Sequence, residues 1–180
     1  MSIEKVQLFR DTTINQVQSS GDPNTIKKEI KARLTLLTYN ERLVFDFLLG
    51  VNHAISTIIV QRLLMKDFIL NSKKITKFET KQGTYIKQNS KWYKAPKHAN
   101  IWINNRVMKN IVVRALNEDF EAIYKQLRDL KIKPPSFDKA KKLLSSLVKE
   151  GILVARKPEE SLKSSILYQI NPYVRMYFDD

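Results

Sequence analysis

The last third of the chain holds the pattern that most restricts its fold. Lys133-Pro134-Pro135 stops any preceding helix, because proline lacks the amide a helix interior needs and holds its neighbour extended. Ser136 then offers a side-chain acceptor to the first free amides of a new helix, and Asp138 in its first turn favours the helix dipole. Phe137, Ala140, Leu143, Leu144, Leu147 and Val148 recur at the spacing of one buried helical face, and Gly151 closes that helix. Two segments of strand propensity follow, Ile152 to Ala155 and Ile166 to Ile170, separated by the polar, basic loop Arg156 to Ser165. Pro172 ends the second strand, and the aromatic tail Tyr173 to Phe178 is expected to pack back on the core. Upstream, Asn117 caps a predicted helix from Glu118 to about Leu130, with Phe120, Ile123, Leu127 and Leu130 on one face. Helix, tight turn, helix and a hairpin with a long polar loop is the order of a winged helix-turn-helix.

Ahead of this region the signals change. Residues 1–24 read as a flexible lead, with Gly21-Asp22-Pro23-Asn24 a turn. Ile26, Ile30, Leu34 and Leu37 predict a helix from Thr25 to Leu37. Thr38-Tyr39-Asn40-Glu41 matches a capping box, and the helix it opens carries Leu43, Val44, Phe47 and Leu48 before Gly50 stops it. Ala54 to Leu70 is apolar and reads as a helix, although Ile58-Ile59-Val60 fits a strand equally well. The helices from Thr38 to Leu70 also fit the start of a first, degenerate winged helix. Arg106 to Leu116 reads as a short helix.

Charge sets the class of partner. The chain of 180 residues carries a formal charge of +14, and 43% of it is hydrophobic, enough for a real core. A folded domain this basic attracts polyanions, nucleic acid first and anionic membrane second; codon bias in AT-rich genomes is a competing source of part of the lysine excess. Lys73 to Lys109 alone holds ten basic residues against the single acid Glu79. Gln82-Gly83 and Asn89-Ser90 are turn signals, and Thr84-Tyr85-Ile86, Trp92-Tyr93 and Ile101-Trp102-Ile103 have strand propensity, so a small β-hairpin or irregular basic insert is predicted. Phe78, Tyr85, Trp92, Tyr93 and Trp102 interleave with the lysines. Such rings either stack on unpaired bases or form the buried face of a small sheet. On the first reading Lys73, Lys74, Lys77, Lys81, Lys87, Lys91, Trp92, Lys94 and Lys97 meet a DNA backbone or a single strand, with RNA a lesser alternative.

The fold class expected is therefore α+β, mainly α. A flexible lead (1–24) precedes a helical region with a basic aromatic β-hairpin insert (25–105), and a C-terminal winged helix-turn-helix (106–180) follows. A major groove admits one helix, whose outward polar side chains read base edges. On the helix after Ser136 these are Lys139, Lys142, Ser145, Ser146 and Lys149, with Lys141 on the flank. Arg156, Lys157 and Lys163 of the wing are placed for phosphates, which fix register while base contacts specify. Double-stranded DNA is the expected partner, and helix Thr25 to Leu37 or the aromatic tail offers a dimer contact.

The segment Ser136 to Tyr173 resembles the C-terminal winged helix of RepL-type replication initiators of plasmids and phages. The resemblance is carried by the helix, by Glu150-Gly151-Ile152-Leu153, and by Tyr168-Gln169-Ile170-Asn171-Pro172-Tyr173, where an apolar residue, Asn-Pro and another apolar residue end the wing strand. It implies origin or operator binding by a mobile-element protein, without DNA cleavage; replication proteins are a further partner considered beside DNA. A transcriptional regulator of a mobile element would use the same residues, and a winged-helix docking module would make the charge incidental.

Chemistry beyond binding has little support. His53 and His98 stand far apart, four glycines leave no phosphate-cradling loop, and the acid pairs Glu118-Asp119, Glu159-Glu160 and Asp179-Asp180 read as a helix start, a wing tip and a chain end. With no cysteine there is no disulfide or thiolate metal site. No enzymatic activity, metal or other cofactor is expected. Gln61, Arg62, Lys66 and Asp67 interrupt the longest apolar stretch, so no membrane partner is expected and the protein is placed in the cytoplasm, with the nucleoid or a plasmid.

Overall fold

The computed structural model describes residues 23–95, 100–157 and 166–178, in which helices account for just over half of the residues and both sheets are antiparallel. The class is α+β, mainly α, as expected. The chain divides into two compact units, but not at the sequential boundaries expected. One unit combines the described residues up to Val60 with those from Phe137 onward, and the second is the intervening Gln61–Ser136. The second unit is thus an insertion in the chain of the first. Its two ends meet: the buried Gln61 side chain donates to the Pro135 carbonyl at 3.2 Å across 74 residues of sequence. An insert that closes on itself lets the host chain leave and return at nearly one place, which is why such insertions are tolerated.

The first unit begins with helix α1 (Pro23–Thr35), where Pro23 sits in the first turn rather than in a turn before the helix, because a helix start has no use for its missing amide. Ile26, Ile30 and Leu34 are buried, as their spacing requires. Helix α2 (Tyr39–Leu49) has the predicted capping box: Glu41 N donates to Thr38 Oγ1 at 3.3 Å, and Thr38 N donates to Glu41 Oε1 at 3.0 Å. Its buried face holds Val44, Phe45 and Leu48, so Phe45 takes the place expected for Phe47. Strand β1 (Ile55–Ser56) then leads into helix α3 (Thr57–Asn71), which resolves the ambiguity over Ile58-Ile59-Val60 in favour of helix. The division between the units falls after the first turn of α3.

The first unit resumes with helix α5 (Phe137–Lys149), strands β6 (Leu153–Arg156) and β7 (Leu167–Ile170), and the short helix α6 (Pro172–Arg175). Gly151, at φ 77°, ends α5 with the Ile152 amide reaching back to Leu147 O at 3.0 Å, a bond pattern that needs a left-handed residue. The sheet order is β1-β7-β6, with Ile55 opposite Tyr168 and Ala155 opposite Tyr168 on the other side. Buried Asn171 ties the end of this sheet to the exit of α5: its Nδ2 donates to Gly151 O at 2.9 Å, and its Oδ1 accepts from Tyr173 N at 3.0 Å. The tail does pack back. Phe178 meets the Phe45 ring edge-on at 5.8 Å, and the Arg175 guanidinium donates to Leu48 O, Leu49 O and Val51 O at 2.9–3.3 Å, capping the carbonyl end of α2.

In the second unit the expected hairpin is a four-stranded meander, β2 (Lys77–Thr80), β3 (Gly83–Gln88), β4 (Lys91–Lys94) and β5 (Ile101–Ile103), paired in chain order. The two helices expected around Asn117 follow one another as the two arms of a kinked α4 (Asn105–Asp129), whose first arm Asn104 caps. Its path is broken only at Asp119 (φ −141°, ψ 47°), which pairs with Lys81 of the β2–β3 turn at 3.1 Å. Met65 and Ile69 of α3, Phe78, Tyr85 and Trp92 of the sheet, and Met108, Val112 and Leu127 of α4 share one core. Gln126 of α4 bonds both the amide and the carbonyl of Glu79 at 2.9 Å, so a side chain covers part of the edge strand β2.

Candidate nucleic-acid interface

Helix α5 is the most strongly two-faced element of the chain. Ala140, Leu144, Leu147 and Val148 are buried, while Asp138, Lys139, Lys141, Lys142, Ser146 and Lys149 are exposed and Ser145 is half-buried. Along a helix, positions 138, 142, 145 and 149 fall on one stripe directly opposite the buried one. Asp138, Lys141, Lys142, Ser145, Ser146 and Lys149 line one shallow, open hollow of about 590 Å³. Among the described residues Lys141, Lys142 and Lys149 make no ion pair with a carboxylate. Three lysines and two serines on one open face can donate to phosphates or to acceptors on base edges.

Two details alter the expected roster. Ser146 Oγ donates to Glu41 Oε2 at 3.2 Å, so its hydroxyl is engaged between α5 and the capping box of α2. Asp138 stands within the outward stripe as well as in the first turn of the helix. Among the described residues it is the one acid there, and an acceptor suited to a cytosine amino group. Arg156 and Lys157 are exposed at the outer end of β6, where Arg156 pairs with Leu167. Lys163 lies outside the described residues.

The basic segment looks different once folded. Lys73, Lys74, Lys77, Lys81, Lys91 and Lys94 are exposed, and Lys97 lies outside the described residues. Lys77 pairs with Glu79 at 3.0 Å and Lys81 with Asp119 at 3.1 Å. Lys87 is half-buried: its ammonium donates to Ser72 O at 3.0 Å and lies 5.4 Å from the centre of the Trp92 ring, and burial holds its pKa below the usual lysine value. Lys66 is lowered too, by burial first and then by Lys109. Lys73, Lys87 and Lys109, with Asn71, Asn89 and Asn105, line a hollow of about 410 Å³.

Trp92 corrects the sequence reading most clearly. It is 2% exposed and belongs to the core, so it offers no face to a base. Phe78 and Tyr85 are buried with it, because residues two apart on a strand share a face and this face packs on the helices. Tyr93 is half-buried and Trp102 is 58% exposed, on the opposite face. The alternation itself could have separated the two sets, had the register of the strands been visible in the sequence.

Arg175 carries no expectation from sequence and Asn171 enters only through the Asn-Pro resemblance, yet both hold the unit that presents α5. The Asn171-Pro172 pair was the available sign, since Asn followed by Pro suits the start of a helix. His53 is exposed and His98 lies outside the described residues. Among the described residues no three His, Asp or Glu side chains gather in a way that could hold a metal ion, and no helix is long and apolar enough to cross a membrane. No family model, curated protein or solved structure matches the chain.

Proposed function

We propose that this protein binds double-stranded DNA with sequence preference through α5, and that it does so as an initiator of plasmid or phage replication. The observation that carries the reading is the unneutralised Lys141, Lys142 and Lys149 face of α5 in a unit whose sheet has the order β1-β7-β6. A helix, a short strand, a second helix, a third helix and a hairpin whose last strand pairs with the short one make the connectivity of a winged helix. On this reading α2, β1 and the start of α3 form its front, and α5, β6 and β7 its reading helix and wing. The module is then single and split, with the Gln61–Ser136 unit inserted between its second and third helices. The helices from Thr38 to Leu70 are the front of this module and not a second copy of it.

In the complex, Lys142 and Lys149 meet acceptors in the major groove, Ser145 bonds a base edge, and Arg156 and Lys157 hold phosphates beside it. Binding is the whole of the proposed activity, with no strand cleavage. Selection of sites from a random duplex pool, with wild type and with Lys142→Ala and Ser145→Ala, tests it. A defined motif that weakens in both variants is expected. Its position at an origin or at a promoter then separates initiation from transcriptional control. Salt-driven binding with no motif would remove the groove-reading assignment.

A further inference from the structure

The outward face of the four-stranded sheet carries a row of side chains that its core does not use. Pairing places Lys77 opposite Ile86, Ile86 opposite Tyr93, and Tyr93 opposite Trp102, so the row crosses all four strands. One step along, Gln88 stands opposite Lys91 on the same face. The rings of this row point away from Phe78, Tyr85 and Trp92, because adjacent strand residues face opposite ways. Trp102 is 58% exposed, Lys91 is exposed, and Tyr93 and Ile86 are half-buried.

We propose that this face binds single-stranded nucleic acid, with unpaired bases stacking on Trp102 and Tyr93 and the backbone held by Lys91. Ile86, Tyr93 and Trp102 stand side by side as one apolar row with lysine beside it, and a contiguous apolar patch rimmed by polar groups suits an interaction surface. Side chains opposite each other on neighbouring strands lie about 5 Å apart, so adjacent nucleotides can each reach a ring. Every base presents a stackable face once unpaired, whereas duplex bases do not. Charge selects a polyanion: the segment from Lys73 to Lys109 carries ten basic residues and one acid, Glu79, which sits on Lys77 at the far edge from Trp102. The site lies wholly within the inserted unit and stands without the duplex reading of α5.

The two tryptophans make the test clean, since Trp92 is buried and Trp102 is not. Titration of the full chain with a dT dodecamer is expected to quench tryptophan fluorescence. Trp102→Phe, which leaves Trp92 as the only indole, is expected to abolish the quench while binding within roughly threefold of wild type. Trp102→Ala is expected to weaken binding about tenfold, on the scale of one lost base stack, and Lys91→Glu to weaken it with an unchanged melting curve. Tighter binding of the dT or the rU strand assigns the site to DNA or to RNA. Full quench by an equal-length duplex or by an acidic peptide, or unchanged affinity in Trp102→Ala, overturns the proposal. Duplex selection reads α5 and the quench reads the sheet, so each reading can fail alone.

Discussion

Helix α5 and the sheet of the inserted unit are both rich in lysine, and they spend that charge differently. On α5, Lys141, Lys142 and Lys149 share one open face, and among the described residues Asp138 is the only acid in their hollow. Around the sheet, Lys77 and Lys81 sit on carboxylates, and Lys87 is drawn over Trp92 and held by a carbonyl. A count of charge along the sequence ranks the sheet segment first. Open lysines set at helical spacing on one exposed face single out α5, although Lys73 and Lys109 of the inserted unit also line a hollow and are paired with no carboxylate among the described residues. For a polyanion the second quantity matters more, because each lysine that replaces a counterion on phosphate contributes to affinity and a lysine already paired contributes less. Aromatic residues divide the same way. Trp92 stabilises the inserted unit from inside, and Trp102 adds little to it from outside.

That contrast can be broken at several points. The largest effect is expected for Trp92→Ala, which should cost about 3–5 kcal/mol of stability in denaturant unfolding. Trp102→Ala should stay within about 0.5 kcal/mol of wild type in the same measurement. Equal losses at the two sites would undo the sorting of the rings. Next, Lys142→Glu with Lys149→Glu should lower duplex affinity by roughly a hundredfold and flatten the dependence of log K on log salt by about two. Lys77→Glu with Lys81→Glu should change the same duplex titration by less than about fivefold, and a larger change would mean that charge count outranks charge availability.

Asn171→Ala comes third. It leaves the buried Gly151 carbonyl and the Tyr173 amide without their partner, and should lower stability by about 1–3 kcal/mol, read as a drop in melting temperature. Retention of the wild-type melting point would show that the tie between α5 and the end of β7 is not needed. Smallest is Lys87→Met. Because burial lowers the native pKa of Lys87, the unfolded chain holds more protons between that lowered value and the ordinary 10.5. Stability from this group therefore rises as pH climbs through that window and is weakest below it. Lys87→Met should flatten that alkaline rise in urea unfolding at a series of pH values. An unchanged slope would assign it to Lys66, which is lowered as well.

Much of the first unit was legible because its signals are local. The capping box at Thr38 and Glu41, the stop at Gly151, the two faces of α5 and strands β6 and β7 each depend on residues a few positions apart. The join between Leu116 and Glu118 was legible to within two residues: the break in α4 falls at Asp119, and Val112, Leu116, Ile123 and Leu127 from its two arms pack into one core. Trp92 and Trp102 have similar neighbours in sequence, and only strand pairing tells their faces apart.

By itself the sequence determined the class of fold, the amphipathic helix α5, strands β6 and β7 and the excess of positive charge. Spacing, caps and composition act over one or two turns and need no distant partner. Tertiary structure alone decided that β1 pairs with β7, that Gln61–Ser136 is an insertion closed by Gln61 and Pro135, and which lysines remain open to a partner. Those facts depend on contacts between residues far apart in the chain, including the 74 positions between Gln61 and Pro135, and no local preference encodes them.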